Sequence, residues 1–210
     1  MGATQLNSWE QDDIKPGDTF NSGDTSNFEV QVRNDQNTKL TLFYKGIFSN
    51  FHKAAFKDKL PGIECEKWSN VEQYMHACKA SLFGDKATLE EIIKTGEDPR
   101  RAKQLGRQVK PYKDEQWAVV ARAVVTRGCW LKFTQNPYLL DELRKTGNNQ
   151  MVECARNDTR WGIGIAYNDP AATDRAKWRG SNWLGECLNL ARDHCKAGTA
   201  PPPPDLGSHN

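Results

Sequence analysis

The sequence predicts an α+β fold, a single helix-rich domain with a small mixed sheet. Three observations predict it. Apolar residues recur at helical spacing through the interior, above all Trp117, Val120, Ala121, Val124 and Val125 within residues 113–133. The strand-like segments are short and do not alternate regularly with the helices, which disfavours a doubly wound sheet. Seven Trp, eight Phe and five Tyr in 210 residues supply the bulk for one core.

The elements follow in order. Residues 1–37 are rich in Asn, Asp, Gly, Ser and Thr, a composition that buries little surface and is expected to be disordered. Within them Phe28-Glu-Val30-Gln-Val32-Arg alternates with period two and reads as an extra edge strand. Residues 40–44 read as a strand, and Ile63 to Trp68 as another. A helix spans 71–82, with Ser69 and Asn70 as candidate caps. A short helix begins at Thr88 and closes at Gly96. Asp98 caps the next, with Pro99 at its first position. Residues 113–133 form a long core helix. Asn136-Pro137 opens another helix, which Gly147 closes. Met151 to Ala155 alternates as a strand, Trp161 to Ala166 is a glycine-containing strand or loop, and Asn182 to Cys195 is the final helix. The core domain is set at 38–198, and residues 199–210 form a Pro-rich flexible tail.

Composition excludes some classes. The net charge of +2 is close to neutral, so it neither demands nor excludes a nucleic-acid partner. No run of about 18 apolar residues suggests a membrane span. With no signal-peptide pattern, the expected location is cytoplasmic or nuclear. The six cysteines are scattered, none in a CxxC pair, and are expected to be reduced thiols. Cys187, His194 and Cys195 lack the further ligands of a zinc site. Neither GxxxxGK[ST] nor GxGxxG occurs, and no metal or cofactor is expected.

The most informative stretch is Trp68-Ser-Asn-Val-Glu72-Gln-Tyr-Met-His76-Ala-Cys-Lys79-Ala. Glu72, His76 and Lys79 fall at i, i+4 and i+7 and share a helical face beside the apolar stripe of Val71, Tyr74, Cys78 and Leu82. Glu72 and Lys79 lie roughly 10 Å apart along the axis, within reach of one ribose-sized ligand. The alternative is a solvated polar face. Arg100, Lys103 and Arg107 form a basic stripe at i, i+3 and i+7, suited to a phosphate or simply to solvent. Asp158 opens a polar loop leading into Trp161-Gly162-Ile163-Gly164, where glycine admits a close ligand and Trp161 either stacks on it or packs a core. Asn182 caps the last helix or bonds a hydroxyl. Trp68 and Phe51 pack a core or stack on a base.

Taken in order, these segments resemble the NADAR family, the YbiA-like N-glycosidases. The matching pieces are Phe43-Tyr44, Phe48-Ser-Asn50-Phe51, Trp68 to Tyr74, His76-Ala-Cys-Lys79-Ala, Asp98-Pro99, Leu105-Gly106-Arg107, Lys132-Phe133-Thr-Gln135-Asn136, Thr146-Gly147, Glu153 with Asp158, Trp161-Gly-Ile-Gly164 and Gly180-Ser-Asn182-Trp-Leu-Gly185. The first 37 residues have no counterpart. The resemblance implies a YbiA-like fold and chemistry at ribose C1, with Lys79, Glu72 and Asp158 as catalytic residues. It implies a substrate site of Asn50, Phe51, Trp68, His76, Lys103, Arg107, Glu153, Trp161, Gly162 and Asn182.

A desolvated lysine attacks an aldehyde-like carbon to give a Schiff base, and a nearby carboxylate moves the proton. The activity that the resemblance implies is an N-glycosidase, with ADP-ribose on guanine bases of nucleic acid as the leading substrate. The alternatives are phosphorylated riboflavin-biosynthesis intermediates, or a module that binds ADP-ribose without cleaving it. The expected partner is ADP-ribose-modified nucleic acid or a ribosyl-phosphate small molecule, without a membrane, and the expected state is a monomer.

Overall fold

A computed structural model describes residues 29–33 and 38–207. The rest of the segment expected to be disordered lies outside the described residues. Strands β1 (Glu29–Arg33), β2 (Lys39–Phe43) and β5 (Gln150–Glu153) form one sheet in the order β1-β2-β5. The alternating segment near Val30 and Val32 is thus an edge strand, antiparallel to β2 with Val30 opposite Leu42. β2 and β5 run parallel, with Leu40 opposite Gln150 and Phe43 opposite Glu153. The chain between these two strands builds most of the helical layer.

Six α-helices are described: α1 (Val71–Leu82), α2 (Lys86–Lys94), α3 (Pro99–Gly106), α4 (Asp114–Thr134), α5 (Pro137–Lys145) and α6 (Trp183–Ala197). Their starts follow the sequence signals. Asn70 accepts the Gln73 amide at 2.8 Å, and Asp98 accepts the amides of Arg100 and Arg101. α1 is the central helix and packs against α2, α3 and α4. Every residue from Val71 to Ala80 is buried, polar ones included. Small residues permit this: Ala77, Cys78 and Ala80 face neighbours, and Gly128 of α4 leaves room for the Tyr74 ring. A second, smaller apolar cluster, including Leu40, Leu42, Val152 and Ile163, seals the sheet.

Two expectations change and one is narrowed. Of the strand expected over Ile63 to Trp68 only β4 (Lys67–Trp68) forms, paired with β3 (Phe56–Lys57), because the chain reverses at Leu60–Ile63 with Gly62 at φ 74°. Of the two forms expected for Trp161 to Ala166 the loop is found, its Ile163 backbone bonding Glu153, Arg179 and Gly180 without forming a ladder. The tail is docked through residue 206: Pro201 and Pro204 are buried, Leu206 joins the main core, and Arg127 donates to the Pro201 carbonyl at 2.7 Å. Polyproline cannot join a helix, yet it lies well along an apolar surface. Among the described residues, no helix is long and apolar enough to cross a membrane.

Candidate active site

The parallel strands β2 and β5 point their carboxyl ends the same way, and a cavity of about 200 Å³ lies beyond them. Open sheets place ligands there because the loops leaving parallel strands diverge. Glu153 is the last residue of β5 and lines the cavity. After β2 the chain reverses through Lys45 and Gly46, both at positive φ, and delivers Ser49, Asn50 and Phe51 to the wall. This loop is pinned twice. The fully buried Lys132 of α4 donates to the carbonyls of Ile47 at 2.6 Å and Ser49 at 2.9 Å, and the Glu72 amide donates to the Asn50 carbonyl.

α1 supplies the floor with Glu72, Met75, His76 and Lys79. Glu72 is buried and bonded to His76 Nε2 at 3.1 Å. Burial alone raises a carboxyl pKa, but His76, Lys103 and Arg107 outweigh it and hold Glu72 below the ordinary value. Glu72 is therefore an ionised carboxylate, fit to accept a proton. Burial acts the other way on Lys79, lowering its pKa to about 8 against the opposing pull of Asp114, with Arg160 and Arg107 adding to the fall. Its Nζ donates to the Gly106 carbonyl at 2.8 Å and lies 4.0 Å from the centroid of the Tyr112 ring. Gly106 has a steric reason: any Cβ there would overlap the His76 ring.

Lys103 of α3 and Arg107, the residue just past its end, reach the cavity, with Lys103 Nζ 5.4 Å from the Phe51 ring centroid, while Arg100 is exposed and off the wall. On the far side stand Asp158 and Trp161. Asp158 Oδ1 accepts the amides of Arg160 and Trp161 at 3.0 and 2.8 Å, closing its own turn. The Trp161 ring meets Trp183 edge-on at 5.7 Å.

Ten of the thirteen residues expected in the site thus line one cavity. Three do not. Trp68 is core: its ring packs T-shaped on Tyr74 at 5.3 Å, and its Nε1 donates to the Asp58 carbonyl. Gly162 lies behind the wall, where a Cβ would crowd Ala155 and the backbone of Glu153 and Asp158. Asn182 neither caps its own helix nor faces the cavity. Held at φ 54°, it accepts the Glu153 amide and donates to the Met151 carbonyl, both at 2.9 Å, fixing the end of β5.

The sequence reading missed Ser49, Met75, Tyr112, Trp117, Arg160 and Leu184. Arg160 sits inside the quoted Asp158 loop and was within reach of it. Met75 and Leu184 carry no signal beyond apolarity. Tyr112 arrives from the loop before α4, and its phenol donates to Asp114, whose carboxylate takes Arg160 at 2.8 and 2.7 Å. Among the described residues no cluster of His, Cys, Asp or Glu is arranged to hold a metal ion.

An α+β domain with a buried lysine–carboxylate cavity beyond a parallel strand pair is the class this geometry defines. The chain belongs to the NADAR domain family, whose profile matches residues 39–196. It is similar to N-glycosidase R617 of Acanthamoeba polyphaga mimivirus, 37% identical over 147 residues that cover 70% of this chain and 86% of that one. It is also similar to Protein irg-1 of Caenorhabditis elegans, 34% identical over 178 residues covering 79% and 84%. Its fold matches the NMR structure of the Escherichia coli protein YbiA with a TM-score of 0.61 at 24% identity, covering 91% of this chain and 98% of that one.

Proposed function

We propose that the chain is an N-glycosidase that hydrolyses the bond between ribose C1 and a base nitrogen, and that it removes ADP-ribose from guanine in nucleic acid. The observation that carries this reading is the convergence of the Lys79 amine, the Glu72 carboxylate and the cations Lys103 and Arg107 on one cavity. The mimivirus relative, named an N-glycosidase, supports the reaction class. A binding module would have no use for an amine with a lowered pKa in the same cavity as an ionised carboxylate.

In this reading the ribose enters the cavity and a phosphate meets Lys103 and Arg107. The base nitrogen pushes open the sugar ring, O4′ takes a proton from solvent, and C1 becomes an iminium carbon. Neutral Lys79 adds to C1. Its surplus proton passes through Glu72 to the base, and the C1–N bond breaks with its electron pair leaving on the base. Water then adds to the Lys79 imine, returns the amine, and frees the sugar, which recloses. The sum is substrate plus water giving base plus ADP-ribose.

Cavity size favours a second substrate class. About 200 Å³ suits a ribose with one phosphate, the size of a phosphorylated riboflavin intermediate. An ADP-ribosylated base needs the adenosine half to lie outside, along the open mouth. Incubation with an ADP-ribosylated guanine oligonucleotide and, separately, with those intermediates decides between them by mass spectrometry. We expect release of ADP-ribose and unmodified guanine strand. Turnover of the intermediates alone overturns the substrate, and turnover of neither overturns the activity.

A further inference from the structure

We infer that Tyr112 is a positioning residue for Lys79: its ring and the Gly106 carbonyl together fix where the amine presents its lone pair. This rests on the lysine-nucleophile reading above. A lysine nitrogen has four tetrahedral directions. Cε takes one. The Gly106 carbonyl takes a second through a 2.8 Å hydrogen bond. The Tyr112 ring, with its centroid 4.0 Å from Nζ, takes a third, because the electron-rich face attracts an N–H. One direction is left. Lys79 lines the cavity, so the lone pair that appears on proton loss faces the space where C1 must lie.

Tyr112 is 40% exposed, yet it is held on two further sides. Its phenol donates to Asp114, which Arg160 grips with two nitrogens. Its ring also meets Phe83 edge-on, with centroids 5.3 Å apart. Arg160 itself lines the cavity, so the brace of Tyr112 and the far wall are one connected structure. A tyrosine that merely covered the surface would need neither the ring contact with Nζ nor this brace. Alignment of a nucleophile is worth large factors in rate while leaving ground-state binding alone.

The test compares Tyr112→Leu and Tyr112→Met, which fill the space without a π face, with Tyr112→Phe, which keeps the face and loses the Asp114 bond. Two readouts are taken: kcat and KM on the cleaved substrate, and the rate at which glycolaldehyde with borohydride labels Lys79, followed by peptide mapping. We expect Leu and Met to lower both kcat and Lys79 labelling by about tenfold or more, with KM held within about threefold, and Phe to recover most of the loss. Two apolar variants guard against one that misfolds. Wild-type labelling and kcat in either folded apolar variant overturn the inference, as does a loss confined to KM. A wild-type protein that cleaves substrate yet forms no Lys79 adduct removes the lysine nucleophile, and the positioning role falls with it. A wild type that labels while the variants label equally removes the positioning role alone.

Discussion

At the scale of residues, the cavity separates two protonation tasks by environment. Lys79 is desolvated and its pKa lies at about 8, so the nucleophilic amine grows with pH. The rate kcat/KM should therefore climb from pH 6 and level off above about 8. A profile flat across that range would remove the amine from the reaction. Glu72 is already a carboxylate, held so by His76, Lys103 and Arg107 against its own burial. Glu72→Gln keeps the shape and removes the proton acceptor, and kcat should fall by about 10²-fold or more with binding largely kept. Near-wild-type kcat would show that Glu72 serves only to pair His76. Arg107→Ala should raise KM at a cost of about 1.5–3 kcal/mol and leave kcat alone, but only for substrates carrying phosphate. An equal effect on phosphate-free substrate would make Arg107 structural. The helical spacing of Glu72, His76 and Lys79 made this trio legible, because period alone puts them on one face. Asn182 and Gly162 stand off the cavity wall for a physical reason: they hold backbone segments together, and that depends on segments distant in sequence.

At the scale of elements, the helices were legible and the irregular backbone was not. Asn70, Asp98 and Pro99 announce their helices by local chemistry, and α1 begins and ends where its pattern does. The loop of residues 44–51 has no period to read, yet it carries Ser49, Asn50 and Phe51. Its anchor, Lys132, reads in sequence as one polar residue in a core helix. Removing the Lys132 amine leaves two carbonyls without their donor, so Lys132→Met should cost about 1–3 kcal/mol and lower activity by loosening the Asn50 wall. The pH dependence has a definite sign. Burial lowers the Lys132 pKa to about 8, so between pH 8 and the ordinary lysine value the unfolded chain binds more protons than the folded one. Stability contributed by this group rises with pH across that window, and Lys132→Met should flatten the rise seen in urea titrations. An unchanged slope would mean that Lys132 titrates normally.

At the scale of the whole molecule, the parallel pairing of β2 with β5 brings chain ends of the helical layer together, and no local pattern encodes a pairing across that separation. The same holds for the tail. Asp58 receives Arg127 at 2.8 and 2.7 Å and the Tyr74 phenol at 2.8 Å, and Arg127 extends the network to Pro201, so the tail is tied to the centre of α1. Leu206→Ala should cost about 2 kcal/mol in thermal or urea unfolding. An unchanged midpoint would return the tail to the flexible segment that its composition suggests. The central claim is that ribose C1 bonds to Lys79 during turnover. Borohydride added while the protein turns over an ADP-ribosylated guanine oligonucleotide, followed by peptide mapping, tests it most directly. The account predicts a reduced sugar adduct on Lys79 in wild type and none in Lys79→Ala, which should also be folded and inactive. Full turnover by wild type with no adduct, or cleavage retained in Lys79→Ala, would contradict it.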